Sequence, residues 1–499
     1  MTSESEKQEY KQSLKATTLF GGVQVYNIII NILKSKVIAL FLGPEGMGIY
    51  GLLTSTTNLI TSATSFGLGT SAVKDIAGAN ASGDMKRVSK TITAFRRWVW
   101  ATGTLGLVIC LFLSPLWSRV TFGNEEYTVA FGVLSLTLLF TQLSSGQIAL
   151  LQGMQRYYFM AKSTVLGSTI GFLISLPLYY KWGIDAIVPV IVLSSLSSLF
   201  LSWHFSRKIQ IEKIHLNWRQ TMEEGKSMVK MGFFISLQSL LSIGAAYIVR
   251  LYIRGEGGVD EVGLYTAGFA IVNTYVGLIF TGMSSEYYPR LSTYCDDKEK
   301  FSRAINQQIE ISLLLLIPII VIFIVFANVA ISILYSNKFL EISGMLYWAI
   351  LGVFFKAPSW SIAFSFLAKG DTKAFFWNEM TAIVYSTLLN LFFYNYGGLT
   401  GLGISYLLGF LLYYIQVWIV CRFRYDYHAN PVIWKIFFPG FILGVICVCL
   451  VVFTSPVIRY SVGSVIVVVS LVFSFCGLDS RIGLGKLLYG WLKSKRTSG

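Results

Sequence analysis

Apolar segments of about 20 residues recur along the whole chain, and no other feature limits its possible folds as strongly. Because an α-helix rises about 1.5 Å per residue, each segment is long enough to cross roughly 30 Å of hydrocarbon. Lipid-exposed backbone must satisfy its own hydrogen bonds, and segments of this length do so as helices, not as barrel strands. The pattern predicts an all-α polytopic membrane protein with about 14 transmembrane helices, at 17–42, 48–72, 92–116, 127–151, 162–181, 184–206, 228–252, 262–286, 307–331, 343–368, 374–396, 401–423, 434–455 and 457–477.

The distribution of basic residues predicts the orientation of these helices. The N-terminal segment is polar and lacks the apolar core of a cleavable signal peptide, so we place it in the cytoplasm. The Lys- and Arg-rich loops then all fall on the inner side, as expected for cytoplasmic loops. The outer side receives only Arg119, Lys181, Arg250, Arg254, Lys338 and Arg459. We therefore expect both termini in the cytoplasm, and the net charge of +15 reflects topology, not nucleic-acid binding.

The six cysteines indicate neither a disulfide framework nor a zinc site. They fall in predicted spans or on the predicted cytoplasmic side, and none forms a Cys-x-x-Cys pair or has metal-ligand spacing. We expect no metal and no other cofactor.

The chain contains an internal repeat at a shift of about 215 residues. "GMGIYGLLTS" (46–55) matches "EVGLYTAGFA" (261–270), and "DMKRVSKTI" (84–92) matches "DKEKFSRAI" (297–305). Both copies begin on the same side and hold six spans, so the repeat is parallel, as in secondary transporters that bind substrate between two halves. The predicted division is a cytoplasmic lead at 1–16, an N-lobe at 17–206, a cytoplasmic linker at 207–227, a C-lobe at 228–424, and an appended hairpin with a basic tail at 425–499.

Three lysines lie deep inside predicted spans, away from the span ends. Lys356 is about 12 residues from either end of its span, roughly 18 Å, which is too far for a lysine side chain to reach the interface. It must therefore face a cavity, a partner or water, and Pro358 beside it favours a kink. Lys34 and Lys36 lie nearer the outer end, about 9–12 Å from it, and point away from each other. Lys34 is the stronger candidate for a cavity, whereas Lys36 is also placed to reach the interface.

Two arginines extend this set into the second repeat. Arg250 falls at nearly the depth that Lys34 and Lys36 occupy in the first copy, and Arg254 follows one helical turn later. An interfacial anchor, paired with an acidic residue of the following loop, is the alternative for these arginines. Lys34, Lys36, Arg250, Arg254 and Lys356 are the predicted substrate-binding residues, with no catalytic and no metal-binding residue.

Carboxylates that could neutralise these cations are missing from mid-membrane positions. Glu286, Glu310 and Glu379 lie near inner span ends, and all three histidines are on the predicted cytoplasmic side. Buried cations without partners are costly, unless a ligand supplies the negative charge. Phosphate or pyrophosphate fits, because lysine binds it as a point charge and arginine in bidentate fashion.

The motifs resemble those of a known family of exporters. "LGPEGMGIYGLL" (42–53), "FGLGTSAVKDIA" (66–77), the basic loop after it and "ISILYSNKF" (331–339) resemble the multidrug/oligosaccharidyl-lipid/polysaccharide (MOP) exporter superfamily. Within it, the chain is most similar to the polysaccharide flippases of the O-antigen (Wzx-type) group, over roughly residues 10–425.

This resemblance implies two six-helix lobes around a V-shaped cavity in the bacterial plasma membrane. The implied activity is alternating-access transport of an undecaprenyl-pyrophosphate-linked oligosaccharide from the inner to the outer leaflet. The implied partners are this lipid-linked substrate and membrane lipids, with polysaccharide polymerase or ligase proteins as candidate protein partners. The family has cationic cavity residues, a role that Lys34, Arg250 and Lys356 could fill here.

Other functions remain open. A lipid II flippase would share the cationic cavity and 14 spans, and sequence chemistry does not separate its substrate from another lipid-linked glycan. A multidrug/cation antiporter of the same superfamily is less consistent, because no mid-membrane carboxylate is present for cation coupling. The outer loops are short and lack histidine, which disfavours an enzyme such as a polymerase or ligase.

Overall fold

The computed structural model describes residues 4–212 and 214–483, with the backbone alone for 4–20, 275, 285 and 482. Within this part of the chain every regular element is helical, and no strand occurs. The chain divides into two compact units, Met1–Thr266 and Ala267–Gly499. The basic C-terminal tail predicted from the sequence follows residue 483 and lies outside the described residues.

The first unit contains nine helices, the last of which continues across the boundary. The first begins at Glu4, inside the predicted polar lead, and a 3₁₀ turn at Gly183–Ala186 joins α7 to α8. The helices are α1 (Glu4–Phe41), α2 (Gly43–Thr64), α3 (Leu68–Ala81), α4 (Met85–Phe112), α5 (Ser114–Phe122), α6 (Thr128–Gly153), α7 (Tyr157–Trp182), α8 (Ile187–Ser206) and α9 (Trp218–Ala270).

The second unit continues with a π-helical turn, Ile271–Tyr275, and seven further helices among its described residues. A 3₁₀ turn, Asn337–Ile342, precedes the fourth of them. The helices are α10 (Gly277–Thr293), α11 (Lys298–Val325), α12 (Ala327–Leu334), α13 (Ser343–Ala368), α14 (Thr372–Tyr425), α15 (Pro431–Phe453) and α16 (Pro456–Ile482).

The helices account for the predicted membrane spans. Among the described residues, nine helical stretches are long and apolar enough to cross a membrane, and α4 with α5, bent by 68°, makes a tenth. Three of the nine, Tyr157–Ser206, Trp218–Thr293 and Thr372–Tyr425, have 50, 76 and 54 residues, enough for two crossings each. Helix α2, with 22 residues, corresponds to the second predicted span, 48–72, but ends at Thr64, so the predicted end of this span was wrong. With the three long stretches counted as two crossings each, and with the α4–α5 pair and α2 added, the described residues give the fourteen predicted transmembrane helices. The all-α fold class is confirmed.

Two glycines break the longest helices at the predicted turns between spans. Gly258 in α9 has φ 83°, and Gly398 in α14 has φ 53°. Positive φ is readily accessible to glycine and costly for other residues. Each glycine therefore lets the chain reverse between two crossings without a loop.

Two helices show the internal repeat directly. The matched residues Asp84 and Asp297 are both N-caps, and their carboxylates accept backbone N–H groups of the first turn. The helices that they begin, α4 and α11, both have 28 residues, and each is followed after one residue by a short helix, α5 or α12. The sequence repeat thus corresponds to a structural repeat.

Small residues bring α7 and α8 close together in the first unit. A Cβ atom on Gly171 would lie 3.1 Å from the Ser194 hydroxyl, and one on Gly167 would lie 3.3 Å from the Ser198 hydroxyl. Membrane helices pack closely where such residues face each other. This contact fixes the relative position of two helices that line the candidate site.

The appended hairpin, α15 and α16, packs onto the second unit. Glycines on its inner face receive large side chains: Gly440 faces Ile317 of α11, and Gly477 faces Leu314. Arg459 is 6 % exposed, and its Nε donates to the Val325 carbonyl (3.0 Å), the last residue of α11. A cation there complements the negative end of the helix dipole. The hairpin therefore packs against α11 along much of the length of that helix.

The segment predicted as a linker, 207–227, is held against α4 of the first unit. Arg97 donates from Nη1 to the Leu216 carbonyl (2.6 Å) and the Thr221 hydroxyl (2.9 Å), and Trp98 donates to the Thr221 carbonyl (3.3 Å). The boundary between the compact units lies further along, after Thr266. The lobe boundaries derived from the repeat remain a prediction.

Candidate functional site

Lys34 lines a cavity inside the first unit. The cavity has a volume of about 210 Å³ and is enclosed by α1, α2, α6, α7 and α8. Each of these helices contributes residues four apart, which places them on one helix face. The remaining lining residues are Ile38, Tyr50, Thr54, Thr137, Thr141, Ser175, Tyr179, Val190, Ile191, Ser194 and Ser195.

The charge of Lys34 has no counter-ion in this cavity. The lining contains no carboxylate, and Lys34 forms no ion pair or hydrogen bond with the residues that the structure describes. Lys36 is half-buried, is absent from the lining and has an interaction elsewhere. This arrangement matches the expectation that the two lysines point in different directions.

Arg250 lines a second cavity of the first unit, with a volume of about 250 Å³. Its guanidinium donates to the Ala246 carbonyl of its own helix (3.2 Å) and lies over the Tyr265 ring, 5.5 Å from the centroid. Its Nε is buried and has no hydrogen-bond partner among the described residues. The other lining residues are Tyr50, Gly51, Thr54, Ser55, Asn58, Ile243, Ala246 and Thr266.

Helix α2 separates the two cavities and contributes to both. Tyr50 and Thr54 line the Lys34 cavity and the Arg250 cavity alike. The repeat aligns Tyr50 with Tyr265, the ring that contacts Arg250. Each copy of the repeat therefore places a tyrosine near its membrane cation, and the first unit brings two of the predicted residues, Lys34 and Arg250, to neighbouring cavities.

The Arg254 guanidinium forms a hydrogen bond with the protein backbone. Its Nη2 donates to the Val120 carbonyl (3.1 Å) near the C-terminal end of α5, where a cation complements the helix dipole. It forms no ion pair with a described carboxylate, so the pairing with an acidic loop residue considered above is not found in this part of the chain. These contacts favour a structural role for Arg254.

Lys356 lies in an aromatic cage within the second unit. Its Nζ donates to the Tyr406 hydroxyl (3.1 Å) and is 5.2–5.7 Å from the ring centroids of Phe280, Tyr406 and Phe410. The Tyr406 hydroxyl in turn lies 3.5 Å from the Asn273 side-chain oxygen. No described carboxylate pairs with Lys356. Ring faces attract the ammonium group and leave its full positive charge unneutralised.

The acidic residues noted in the sequence are bound elsewhere. Glu286 pairs with Arg290 (2.7 Å) one turn later, and Glu310 pairs with Arg481 (2.6 Å) of α16. Glu379 accepts a hydrogen bond from the Tyr413 hydroxyl. None of these contacts reaches the five predicted cations.

Sequence reasoning missed the hydroxyl groups around Lys34. The pairs Tyr50 and Thr54, Thr137 and Thr141, and Ser175 and Tyr179 each have a spacing of four inside an apolar span. That spacing puts two hydroxyls on one helix face and could have been noticed. The sequence does not show that three such faces converge on one lysine.

A comparison with protein families decides the family. The model for the family described as "Polysaccharide biosynthesis protein" matches residues 37–344, well over half of the chain. The chain belongs to this family. The match covers α2 to α12 completely, so it includes Arg250 and Arg254, while Lys34 and Lys36 precede it and Lys356 follows it.

Two relatives of this polysaccharide biosynthesis family member are named as a transporter and a flippase. It is 24 % identical to a Shigella flexneri protein named as an O-antigen transporter, over 73 % of this chain and 87 % of the relative. It is 21 % identical to the lipid III flippase of Escherichia coli, over 80 % of this chain and 96 % of the relative. The recognition of a MOP-superfamily polysaccharide flippase from the sequence motifs is confirmed.

Solved structures show the same fold. The lipid II flippase MurJ in an inward closed conformation superposes with a TM-score of 0.68 at 12 % identity, covering 94 % of this chain and 99 % of its own. An inward-facing multidrug resistance MATE family transporter of the MOP superfamily superposes with a TM-score of 0.69 at 17 % identity, covering 83 % and 99 %. At such identities the likeness establishes the fold alone, that of a multi-pass helical membrane protein.

Proposed function

We propose that this protein moves an undecaprenyl-pyrophosphate-linked oligosaccharide, a surface-polysaccharide repeat unit, from the inner to the outer leaflet of the bacterial plasma membrane. Cationic residues on membrane-crossing helices bind the anionic pyrophosphate, and the protein alternates access between the two sides. In this proposal both termini are cytoplasmic.

The observation that carries the proposal is the set of membrane cations without counter-ions. Lys34, Arg250 and Lys356 form no ion pair among the described residues, and two of them line cavities. Such cations are costly in a membrane unless a ligand compensates them, and pyrophosphate does so. Lys36 and Arg254 remain predicted contacts with less support. Lys36 is absent from the lining of the Lys34 cavity, and the Arg254 guanidinium donates to the backbone carbonyl of Val120.

A chromosomal deletion tests the proposal. Lipid-linked oligosaccharides are extracted from the deletion strain, and their membrane face is determined with an impermeant labelling reagent. We expect complete repeat units on the inner leaflet and loss of surface polysaccharide, both reversed by the wild-type gene. Normal surface glycan with no accumulation would refute the proposal.

Charge variants test the cationic model separately. Lys34→Met, Arg250→Met and Lys356→Met should each restore little surface polysaccharide, whereas Lys181→Met, which removes an exposed lysine at the end of α7, should restore it fully. Equal rescue by all four variants at equal abundance contradicts the model.

A lipid II flippase is the alternative, since its substrate carries the same pyrophosphate group. It predicts that the gene sustains growth when the cell's own lipid II flippase is depleted. If the depleted cells lyse although the gene restores surface polysaccharide, the substrate is the polysaccharide repeat unit and not lipid II.

A further inference from the structure

A cavity of about 1060 Å³ lies beside the first half of α11 in the second unit, on the predicted cytoplasmic side. One face of α11 lines it, together with the connection between α14 and α15 and with Arg481 of α16. We call it the α11 cavity. None of the five predicted substrate-binding residues lines it, so it is separate from the candidate functional site.

The internal repeat identifies the counterpart of this helix face in the first unit. The match of 84–92 with 297–305 aligns α4 with α11 residue by residue, and both helices have 28 residues. Four residues of α11 that line the cavity therefore have counterparts on α4. The aligned pairs are Ser302 and Ser89, Arg303 and Lys90, Glu310 and Arg97, and Ile311 and Trp98.

In the first unit this face is covered by the chain itself. The Ser89 hydroxyl accepts a hydrogen bond from the backbone N–H of Glu212 (3.1 Å), and Lys90 pairs with the Glu224 carboxylate (2.5 Å). The other two side chains of the face donate to residues of the same segment. Every one of the four aligned positions on α4 thus contacts the segment that follows α8.

In the second unit the corresponding connection is shorter. Residues 207–217 separate α8 from α9, whereas only residues 426–430 separate α14 from α15. The short connection reaches one part of the face, where Asn306 donates to the His428 carbonyl (2.9 Å). The rest of the face remains open as the α11 cavity.

Two polar groups in the open part match groups that bind a peptide in the first unit. Neither the Arg303 guanidinium nor the Ser302 hydroxyl forms an ion pair or a hydrogen bond with the residues that the structure describes. Their counterparts on α4 bind a carboxylate and a backbone N–H. A peptide segment with one acidic side chain supplies both of these groups.

We infer that the α11 cavity is the docking site of a partner protein, which inserts an extended segment with an acidic side chain. The carboxylate pairs with Arg303, and a backbone N–H donates to the Ser302 hydroxyl, as Glu224 and Glu212 do in the first unit. This chain's own sequence after residue 483 has four basic residues and no acidic side chain, so it does not supply the carboxylate. The inference goes beyond the proposed transport and does not rest on it.

Site-specific photo-crosslinking in native membranes tests the docking site, because a contact of peptide length is small and is expected to be weak. A photoreactive amino acid replaces Gln307, which is exposed and lines the cavity. The same replacement at Gln210, an exposed glutamine of the first unit, controls for random capture. We expect an adduct from position 307 alone. Mass spectrometry should map it to a segment of another protein that contains Asp or Glu.

Charge reversal tests the pairing with Arg303. Arg303→Glu should lower the adduct yield at least about tenfold, because like charges then face each other, and Arg303→Met should lower it less. Arg87→Glu, which reverses an exposed arginine near the start of α4, should leave the yield unchanged. Changing the mapped carboxylate of the partner to lysine should restore the yield with Arg303→Glu.

Several results would overturn the inference. These are the absence of an adduct from position 307, an adduct that Arg303→Glu leaves unchanged, and a mapped segment without a carboxylate. An adduct within this chain, either to its sequence after residue 483 or to a second copy, would give the cavity a different occupant and refute a partner protein. Absence of oligosaccharide accumulation in the deletion strain, combined with the expected adduct, would remove the proposed function and leave the docking site intact.

Discussion

The hydrogen bond between Tyr406 and Lys356 offers the sharpest test of the second unit. The Lys356 ammonium has a single side-chain hydrogen-bond partner among the described residues, the Tyr406 hydroxyl at 3.1 Å, and the rings of Phe280 and Phe410 complete its cage. Tyr406→Phe removes this one hydroxyl and keeps the ring. The ammonium then loses the contact that fixes its direction.

The magnitude follows from the chemistry of that contact. A hydrogen bond to a charged group is worth about 1.5–3 kcal/mol, and about 1.4 kcal/mol corresponds to tenfold. If Lys356 binds the pyrophosphate as proposed, Tyr406→Phe should lower the transport rate at low substrate by about tenfold, because the ammonium is then less well positioned for that group. Lys356→Met removes the charge itself and should cost about a hundredfold or more, as for a truncated buried charge pair.

The assay measures initial rates of flipping of a labelled lipid-linked oligosaccharide in proteoliposomes. Tyr396→Phe is the matched control, since Tyr396 lies on the same helix and is 76 % exposed. In the Lys356→Met background, Tyr406→Phe should have no further effect, because the two residues act through one contact. A wild-type rate for Tyr406→Phe, or additive losses in the double variant, would refute the reasoning.

Three further predictions concern the scaffold. Arg459→Met should lower the unfolding free energy by about 1.5–3 kcal/mol through the lost charged hydrogen bond to the Val325 carbonyl, measured by denaturant unfolding. Asp297→Ala should cost about 1 kcal/mol by removing an N-cap, and Asp297→Asn should retain most of it, in the same measurement. Asp371 is the N-cap of α14, and the hydrogen bond from Arg424 in the last turn of that helix lowers the pKa of the Asp371 carboxyl. The pair therefore stabilises the protein above the carboxyl's usual pKa and ceases to do so as the pH falls through the lowered value. Thermal midpoints of wild type and Arg424→Met should differ at pH 7 and converge in acid.

The fold was largely predictable because helix length in a membrane follows from hydrocarbon thickness. All fourteen predicted spans are mainly helical, although those at 48–72, 92–116 and 307–331 run across helix breaks at 65–67, 113 and 326. The repeat located Asp84 and Asp297, which both proved to be N-caps. The extent of some elements was not predictable. Helix α1 begins at Glu4, well before the apolar segment that starts at residue 17, because backbone hydrogen bonding of a helix can extend into polar sequence.

The candidate site was predictable in part. Lys34, Arg250 and Lys356 were identified because a cation in an apolar span is costly wherever the span lies. The engagement of Arg254 was not predictable, because it depends on a carbonyl of α5 more than a hundred residues earlier in the chain.

The sequence by itself determined that this chain crosses the membrane many times, that it consists of two related copies, and that it carries membrane cations without nearby carboxylates in the chain. These properties depend on local composition and on spacing along one helix. Only the tertiary structure decided what surrounds each cation: hydroxyls from several helices around Lys34, a tyrosine ring beside Arg250, and an aromatic cage around Lys356. The physical reason is that hydrogen bonds and ring contacts act over a few ångströms, so their partners are set by which helix faces meet.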